Sequence, residues 1–375
     1  MKIGILTFWK TEDNYGQLLQ CYATISLLKS LGHEPFLIRT TTGKEYNPTL
    51  KDKVFQKIRT LYRLKASPLY LTKRVVGSIL YTFRHGSLRV HYTNRDFESF
   101  RNDFLNATTD IYTLEDLRNN PPYAEGYMVG SDQIWNTTDG IYFLSWTPEK
   151  AKKISIAASF GAVTESKQFI NLISPWLKRF DLVTVRENRG LKICKDAGIT
   201  TPHLIPDPTL LVQTAPFTDI AVLPSDNRHY LFVYLLGTRT KVPWKQIHKF
   251  AKENGLIIKY VGSQGQEDKY DKIEPSIPEW LGLMQNADYV ITNSFHGTIF
   301  AMKMRRKFMV LPIIGPASKM NDRLTTLLEP LNLSDRIYSD SLSPLNTEID
   351  YKTVMTNTDN NALKAVNLIK SALIP

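Results

Sequence analysis

With 375 residues, 42% of them hydrophobic and 22% charged, the chain is long for a single core and predicts a globular protein of two domains. No apolar run reaches the roughly 18 residues that a membrane-spanning helix requires, and residues 1–9 are too short for a signal peptide's apolar region and read as a buried strand. Cys21 and Cys194 are the only cysteines and sit in no Cys-x-x-Cys or Cys/His array, which argues against disulfide frameworks and zinc sites and predicts two reduced thiols in a cytoplasmic protein.

In chain order, residues 2–9 predict a strand and 14–31 a helix, with Gly32 as its stop and 35–39 as a second strand. Such a βαβ unit implies a parallel sheet with a right-handed crossover. The net charge of +11 then declares itself, because eleven lysines and arginines lie between residues 51 and 95 against one acid, Asp52. Apolar runs resume at 127–130, 153–158, 181–185 and 203–205, alternating with helical patterns at 164–179 and 187–197. A first domain therefore spans 1–212, with a basic insertion at about 45–95. After a loop-like stretch at 213–228, strands are predicted at 229–236, 256–261, 289–293 and 307–311. Helices fall at 243–254, 280–286 and 297–304, and Ser276 with Glu279 forms a capping box. This gives a second domain over 225–345, and a helical tail within 350–375 that would pack back across the junction. The predicted fold is α/β, with two Rossmann-like domains facing across a cleft.

The chemistry-bearing residues recur at the carboxyl ends of predicted strands, where open α/β sheets bind ligands. Asn14-Tyr-Gly16 opens the first helix, with Asn14 as a cap and Gly16 able to admit a ligand to the backbone. Gly130-Ser-Asp132 follows another strand and reads either as a turn or as a ligand loop. Arg186 ends a strand where it would clamp a carboxylate or phosphate, although an Arg186–Glu187 surface pair reads equally well. Pro206-Asp-Pro208 reads as a rigid turn. Arg323 follows a polar loop and either reaches the cleft or is solvated. Ser294-Phe-His-Gly297 is the strongest candidate, since it puts an imidazole and a hydroxyl at a strand–helix elbow. There is no Gly-x-Ser-x-Gly elbow, phosphate-binding P-loop, dinucleotide fingerprint or His-Glu-x-x-His, which disfavours the enzymes those motifs serve.

Together Asn14-Tyr-Gly16, Gly130-Ser-Asp-Gln133 with Trp135, Ala158-Ser-Phe-Gly161, Arg186-Glu187, Asp207-Pro-Thr-Leu210 and Ser294-Phe-His-Gly297 resemble the polysaccharide pyruvyl transferase family. The resemblance implies a GT-B-like fold and transfer of a pyruvyl group from phosphoenolpyruvate to a sugar, as a cyclic ketal on two hydroxyls. It implies His296 as general acid/base and Arg186 as the residue holding the donor anion. Asn14, Gly16, Gly130, Ser131, Asp132, Ser294, Gly297 and Arg323 would bind substrate. No cofactor or metal is called for beyond phosphoenolpyruvate as donor, and the acceptor would be a glycan or a lipid-linked oligosaccharide of bacterial capsular or cell-surface synthesis. The alternative on the same architecture is a nucleotide-sugar glycosyltransferase.

The basic segment interleaves its charges with Val54, Phe55, Ile58, Leu61 and Leu64. It reads either as a solvated insertion or as an interfacial helix holding the protein peripherally on an anionic cytoplasmic membrane face. No nucleic-acid-reading motif accompanies the charge, so no nucleic-acid partner is expected.

Overall fold

The protein, described here from a computed structural model, is defined over residues 1–41, 95–237, 240–263 and 268–374. The basic segment up to residue 94, and the membrane reading attached to it, lies outside the described residues. Among the described residues no helix is long and apolar enough to cross a membrane.

The first half is built on β1 (Lys2–Leu6), α1 (Tyr15–Ser30) and β2 (Glu34–Thr40), followed by α2 (Phe97–Phe104), β3 (Ala107–Tyr112) and α3 (Leu114–Asn119). Then come β4 (Gly126–Val129), β5 (Lys152–Ser155), α4 (Lys167–Leu177), β6 (Thr184–Val185), α5 (Asn188–Asp196) and β7 (His203–Leu204). The five-stranded sheet runs β3-β2-β1-β4-β5, all parallel. Single bridges from Ile154 to Leu182 and from Ala158 to Val185 carry it on to the β6-β7 pair. The first strand is shorter than predicted because residues after Leu6 turn to side-chain bonds: the Thr7 hydroxyl donates to the Ser131 carbonyl at 3.1 Å, and the Trp9 indole donates to the Thr40 carbonyl at 3.3 Å. α2, β3 and α3 had no legible pattern. β3 is an edge strand, partly or fully exposed along its whole length, so its Ala-Thr-Thr-Asp sequence carries no apolar run.

Short helices α6 (Pro208–Leu211) and α7 (Ala215–Thr218) lead to the second half. Its elements are β8 (Tyr230–Leu235), α8 (Trp244–Glu253), β9 (Ile257–Gly262), α9 (Ile277–Asn286), β10 (Tyr289–Thr292), α10 (Phe295–Lys303) and β11 (Lys307–Val310). The sheet runs β11-β10-β8-β9, again all parallel. β8 is buried at all six positions, which is why it reads as an unbroken apolar run: a parallel strand has helices on both faces. A 3₁₀ segment (Gly315–Asn321) precedes α11 (Asp322–Leu328), and α12 (Tyr351–Ala372) closes the chain. α12 starts at the Asp350 cap, whose carboxylate accepts from the Thr353 N–H at 3.2 Å. It packs against α6.

The two halves share one apolar cluster that runs from Ile3 and Leu19 through Phe232 and Ile299 to Ile369. α1 and α10 lie at this junction, and both are buried almost all round; every residue of α10 is buried. Helices of that kind belong to an interior rather than a surface. Tyr15 stacks on Trp280 with ring centroids 5.3 Å apart, meets Tyr234 edge-on at 5.6 Å, and donates its hydroxyl to the Pro275 carbonyl at 2.6 Å. The connection between the halves is clamped too, since the Val222 N–H donates to the Pro278 carbonyl at 2.9 Å. It crosses α9 at Gly282, where an added Cβ would overlap the Val222 carbonyl. Because that obstacle is backbone, Gly282→Ala is expected to destabilise the protein by about 1–3 kcal/mol, measured as a lower urea midpoint with an unchanged slope.

Candidate active site

The site is a buried ion cluster at the junction of the halves. Asp207 stands at its centre, at the cap of α6, and is 1% exposed. One carboxylate oxygen, Oδ1, serves locally by accepting from the Thr209 N–H at 3.0 Å and the Thr209 hydroxyl at 2.7 Å. The other, Oδ2, accepts from the Ser131 hydroxyl at 2.6 Å and from Arg186 Nη1 at 2.9 Å, and stands 3.3 Å from His296 Nε2. Asp207 and Arg186 belong to the first half and His296 to the second. Burial alone would raise the Asp207 carboxyl, but the His296 imidazole, the Arg186 guanidinium and the Ser131 hydroxyl hold it well below the ordinary carboxylate range.

Arg186 follows β6, and its side chain has no solvent exposure. Its Nη1 is shared by Asp207 and Ser131, its Nη2 reaches Asp132 at 3.3 Å, and its Nε lies 3.8 Å from Glu187. The sequence assigns Arg186 to the donor's anionic groups, whereas the fold fills its fork with the protein's own carboxylates. Burial pushes the Asp132 carboxyl up, but Arg186, His296 and Arg323 outweigh it and leave the group below its usual range. Glu187 goes the other way: burial raises it and Arg186 does not compensate. Its Oε1 accepts from the Phe160 N–H at 3.0 Å.

Arg323, at the start of α11, completes the cluster. Burial and the neighbouring Arg186 lower it to about 10. Its Nε donates to the Met320 carbonyl at 3.1 Å, and among the described residues that is its one hydrogen bond. Phe295 gathers both cations, with the Arg186 and Arg323 guanidinium carbons 4.8 and 5.5 Å from its ring centroid. A cavity of about 490 Å³ adjoins Arg186, Asp207 and Phe295 and runs outward between aliphatic side chains of α6, α11 and α12.

The fold thus brings Ser131, Asp132, Arg186, His296 and Arg323 together. The other candidates shape the backbone around them. Asn14 caps α1 by accepting from the Gln17 N–H at 3.2 Å. Gly16 admits His296 rather than a ligand: a Cβ there would fall 2.3 Å from the His296 Cβ, 2.4 Å from Cγ and 2.5 Å from Nδ1. Gly130 lies against Thr7, and Gly297 against Thr292 and Tyr234. Ser294 caps α10 by accepting from the Gly297 N–H at 3.2 Å, so that helix begins two residues earlier than its apolar pattern suggested and His296 sits in its first turn. Asp207, which reads in the sequence as part of a rigid turn and of a family motif, is the cluster residue absent from the predicted site. The available signal was its place after a strand and before a helix, which the other site loops share. Among the described residues no group of three or more His, Cys, Asp or Glu side chains is arranged to hold a metal ion.

The two parallel sheets, each wrapped by helices and meeting at this cleft, make a GT-B-type pair of Rossmann-like domains. Solved structures of that shape include UDP-GlcNAc 2-epimerase from Methanocaldococcus jannaschii, with TM-score 0.52 and 11% identity over 99% of this chain and 100% of that one. The S. aureus MnaA–UDP co-structure gives TM-score 0.50 and 11% identity over 99% and 96%. At that identity the likeness is one of fold. No curated protein matches the sequence significantly. The signature of the polysaccharide pyruvyl transferase family matches residues 14–313, and the chain belongs to that family.

Removing Arg186 would take a shared countercharge from the buried Asp132 and Asp207, so Arg186→Ala is expected to cost about 3–5 kcal/mol. The pH dependence should weaken as well. In the wild type the depressed Asp132 and Asp207 contribute stability that is present above the unfolded carboxylate pKa and lost as pH falls below about 4. In the variant His296 still faces Asp207, and His296 and Arg323 still face Asp132, so the carboxylates are less depressed and the stability lost on acidification should be smaller. Urea midpoints from pH 7 down to about 3 check the size of that loss.

Proposed function

We propose that this transferase moves the pyruvyl group of phosphoenolpyruvate onto two hydroxyls of a sugar in cell-surface glycan synthesis, closing a cyclic ketal, with His296 as the acid/base. The observation that carries this reading is the His296 ring, held by Asp207 on one nitrogen and seated on Gly16 beside the other. With Nε2 engaged by Asp207, Nδ1 is the nitrogen left to exchange a proton, and the missing side chain of Gly16 makes room for the ring in this position.

Donor binding calls for cationic and N–H groups. Arg323 offers a guanidinium with unused donors, and the N-termini of α1 and α10 converge beside His296, bringing free N–H groups and positive dipole ends toward an anion. His296 gives its proton to the methylene carbon, and the electron pair of the double bond forms the new C–H bond. The adjacent carbon becomes electron-poor and is attacked by the first hydroxyl oxygen, whose proton returns to His296. The carbon–oxygen bond to phosphate breaks with its electron pair leaving on the phosphate. The second hydroxyl closes the ring, and its proton leaves with the phosphate. Arg186 acts by holding Asp132 and Asp207 in place. Attachment to an anionic membrane through residues 51–94 would bring the protein to a lipid-linked acceptor and belongs to the same proposal; Arg95, the last basic residue of the run, is buried.

The test is phosphate release from phosphoenolpyruvate with galactose- and mannose-type lipid-linked acceptors. Acceptor-dependent release is expected. His296→Ala should lower it by about 10²–10⁴-fold, and Arg323→Ala should raise the KM for the donor. Gly16→Ala should lower kcat because its methyl group displaces the imidazole. Absence of turnover with every acceptor, together with thermal stabilisation by UDP or GDP, would replace this reading with nucleotide-sugar glycosyl transfer.

A further inference from the structure

Asp132 is set apart from the other carboxylates of the cluster by its backbone. It adopts φ +72°, a left-handed conformation that L side chains take only at a cost, and Ala157 at the end of the neighbouring strand adopts φ +49°. The turn is fixed there from outside, since the Ser159 N–H donates to the Asp132 carbonyl at 3.0 Å. Backbone held in a sparsely populated region by its surroundings marks places where a side chain's direction matters more than local stability. The Asp132 carboxylate is also the less tightly held partner of Arg186, at 3.3 Å against 2.9 Å for Asp207. It is 6% exposed, and its charged neighbours Arg186, His296 and Arg323 come from three different elements.

Such a carboxylate is out of place in a pocket that only binds an anion. Phosphoenolpyruvate is highly anionic, so a fixed negative charge beside Arg323 and His296 weakens the ground-state complex. The penalty turns into a gain when positive charge develops on the substrate, because an interaction that strengthens toward the transition state raises kcat. In the scheme above such charge develops at one place, the carbon that bears the phosphate, once the methylene has been protonated. Preorganised charge in a dry site is effective at that point.

We infer that Asp132 is a catalytic carboxylate that faces this carbon and stabilises its cationic character, while His296 carries the protons. The inference rests on the pyruvyl-transfer reading. Asp132 forms no covalent bond in it and takes no proton, so the atom balance of that scheme is unchanged.

The test compares wild type, Asp132→Asn and Asp132→Gly by donor affinity in calorimetry, kcat from acceptor-dependent phosphate release, and thermal midpoint. Asp132→Asn keeps the shape and removes the charge; kcat should fall about a hundredfold while the donor binds more tightly. Asp132→Gly is free of the left-handed penalty, which offsets part of the loss of a carboxylate partner to Arg186, so the variant should stay folded by thermal midpoint. It should nevertheless be inactive, and added formate or azide should restore part of the rate by placing a small anion in the vacated space. If Asp132→Asn keeps its kcat, or loses donor affinity in parallel with kcat, the inference is overturned. An Asp132→Gly variant that turns over without added anion overturns it as well. Should wild type itself release no phosphate from the donor, the parent reading falls and takes this one with it. A wild type that turns over while the variants behave otherwise than stated sinks only the role of Asp132.

Discussion

One carboxylate oxygen, Oδ2 of Asp207, sets the geometry on which the rest of the site depends. It faces Ser131, Arg186 and His296 together, and these residues come from the loop after β4, the end of β6 and the first turn of α10. A buried carboxylate without its partners carries a large desolvation penalty, and a partly satisfied polar network is worse than an apolar core. The cluster is therefore close to all-or-none: the carboxylate is tolerable in the interior only when both halves of the molecule are in register. Because the imidazole belongs to one half and its carboxylate to the other, the relative placement of the sheets and the setting of the His296 ring are one constraint.

The apolar packing around the cluster makes that constraint strong. On one side Tyr15, Trp280 and Tyr234 seal the junction with stacked and edge-on rings, and on another α12 returns to lie against α6. Asp132, Arg186, Asp207 and His296 are each at most 6% exposed, so their pairs act through a lower effective dielectric than at a surface. Cross-links between the halves reinforce the closure at little separate cost. The Arg189 N–H at the start of α5 is met by Asp322 of α11 at 3.1 Å, and Lys303 of α10 donates to the Val212 carbonyl at 2.8 Å. A site assembled in this way is preorganised before substrate arrives, which is the condition under which fixed charges accelerate a reaction.

Several site positions were legible in the sequence because parallel α/β architecture presents chemistry at one sheet edge. The loops at Gly130-Ser-Asp132, Arg186 and Ser294-Phe-His-Gly297 each follow an apolar run, and the reader needs only the rule that ligands gather at strand carboxyl ends. The assignment of parts within the cluster was less legible. Arg186 looks in sequence like a free clamp, yet three carboxylates surround it. Asp207 looks like a cap between two prolines, and with its Oδ1 it is one; the second oxygen faces across the junction, which no local pattern records. Gly16 suggests room for a ligand, and the space is taken by a histidine 280 positions away in the chain.

The sequence by itself determined the α/β class, the order of the principal strands, the family and the identity of the histidine. These follow from periodicity and ordered motifs, which depend on neighbours along the chain. Only the tertiary structure decided which carboxylate serves His296, which arginine keeps its donors open, and which glycine makes way for the ring. Those outcomes depend on packing between residues far apart in the chain, where a carboxylate's role is set by what the fold brings within hydrogen-bonding distance of each oxygen.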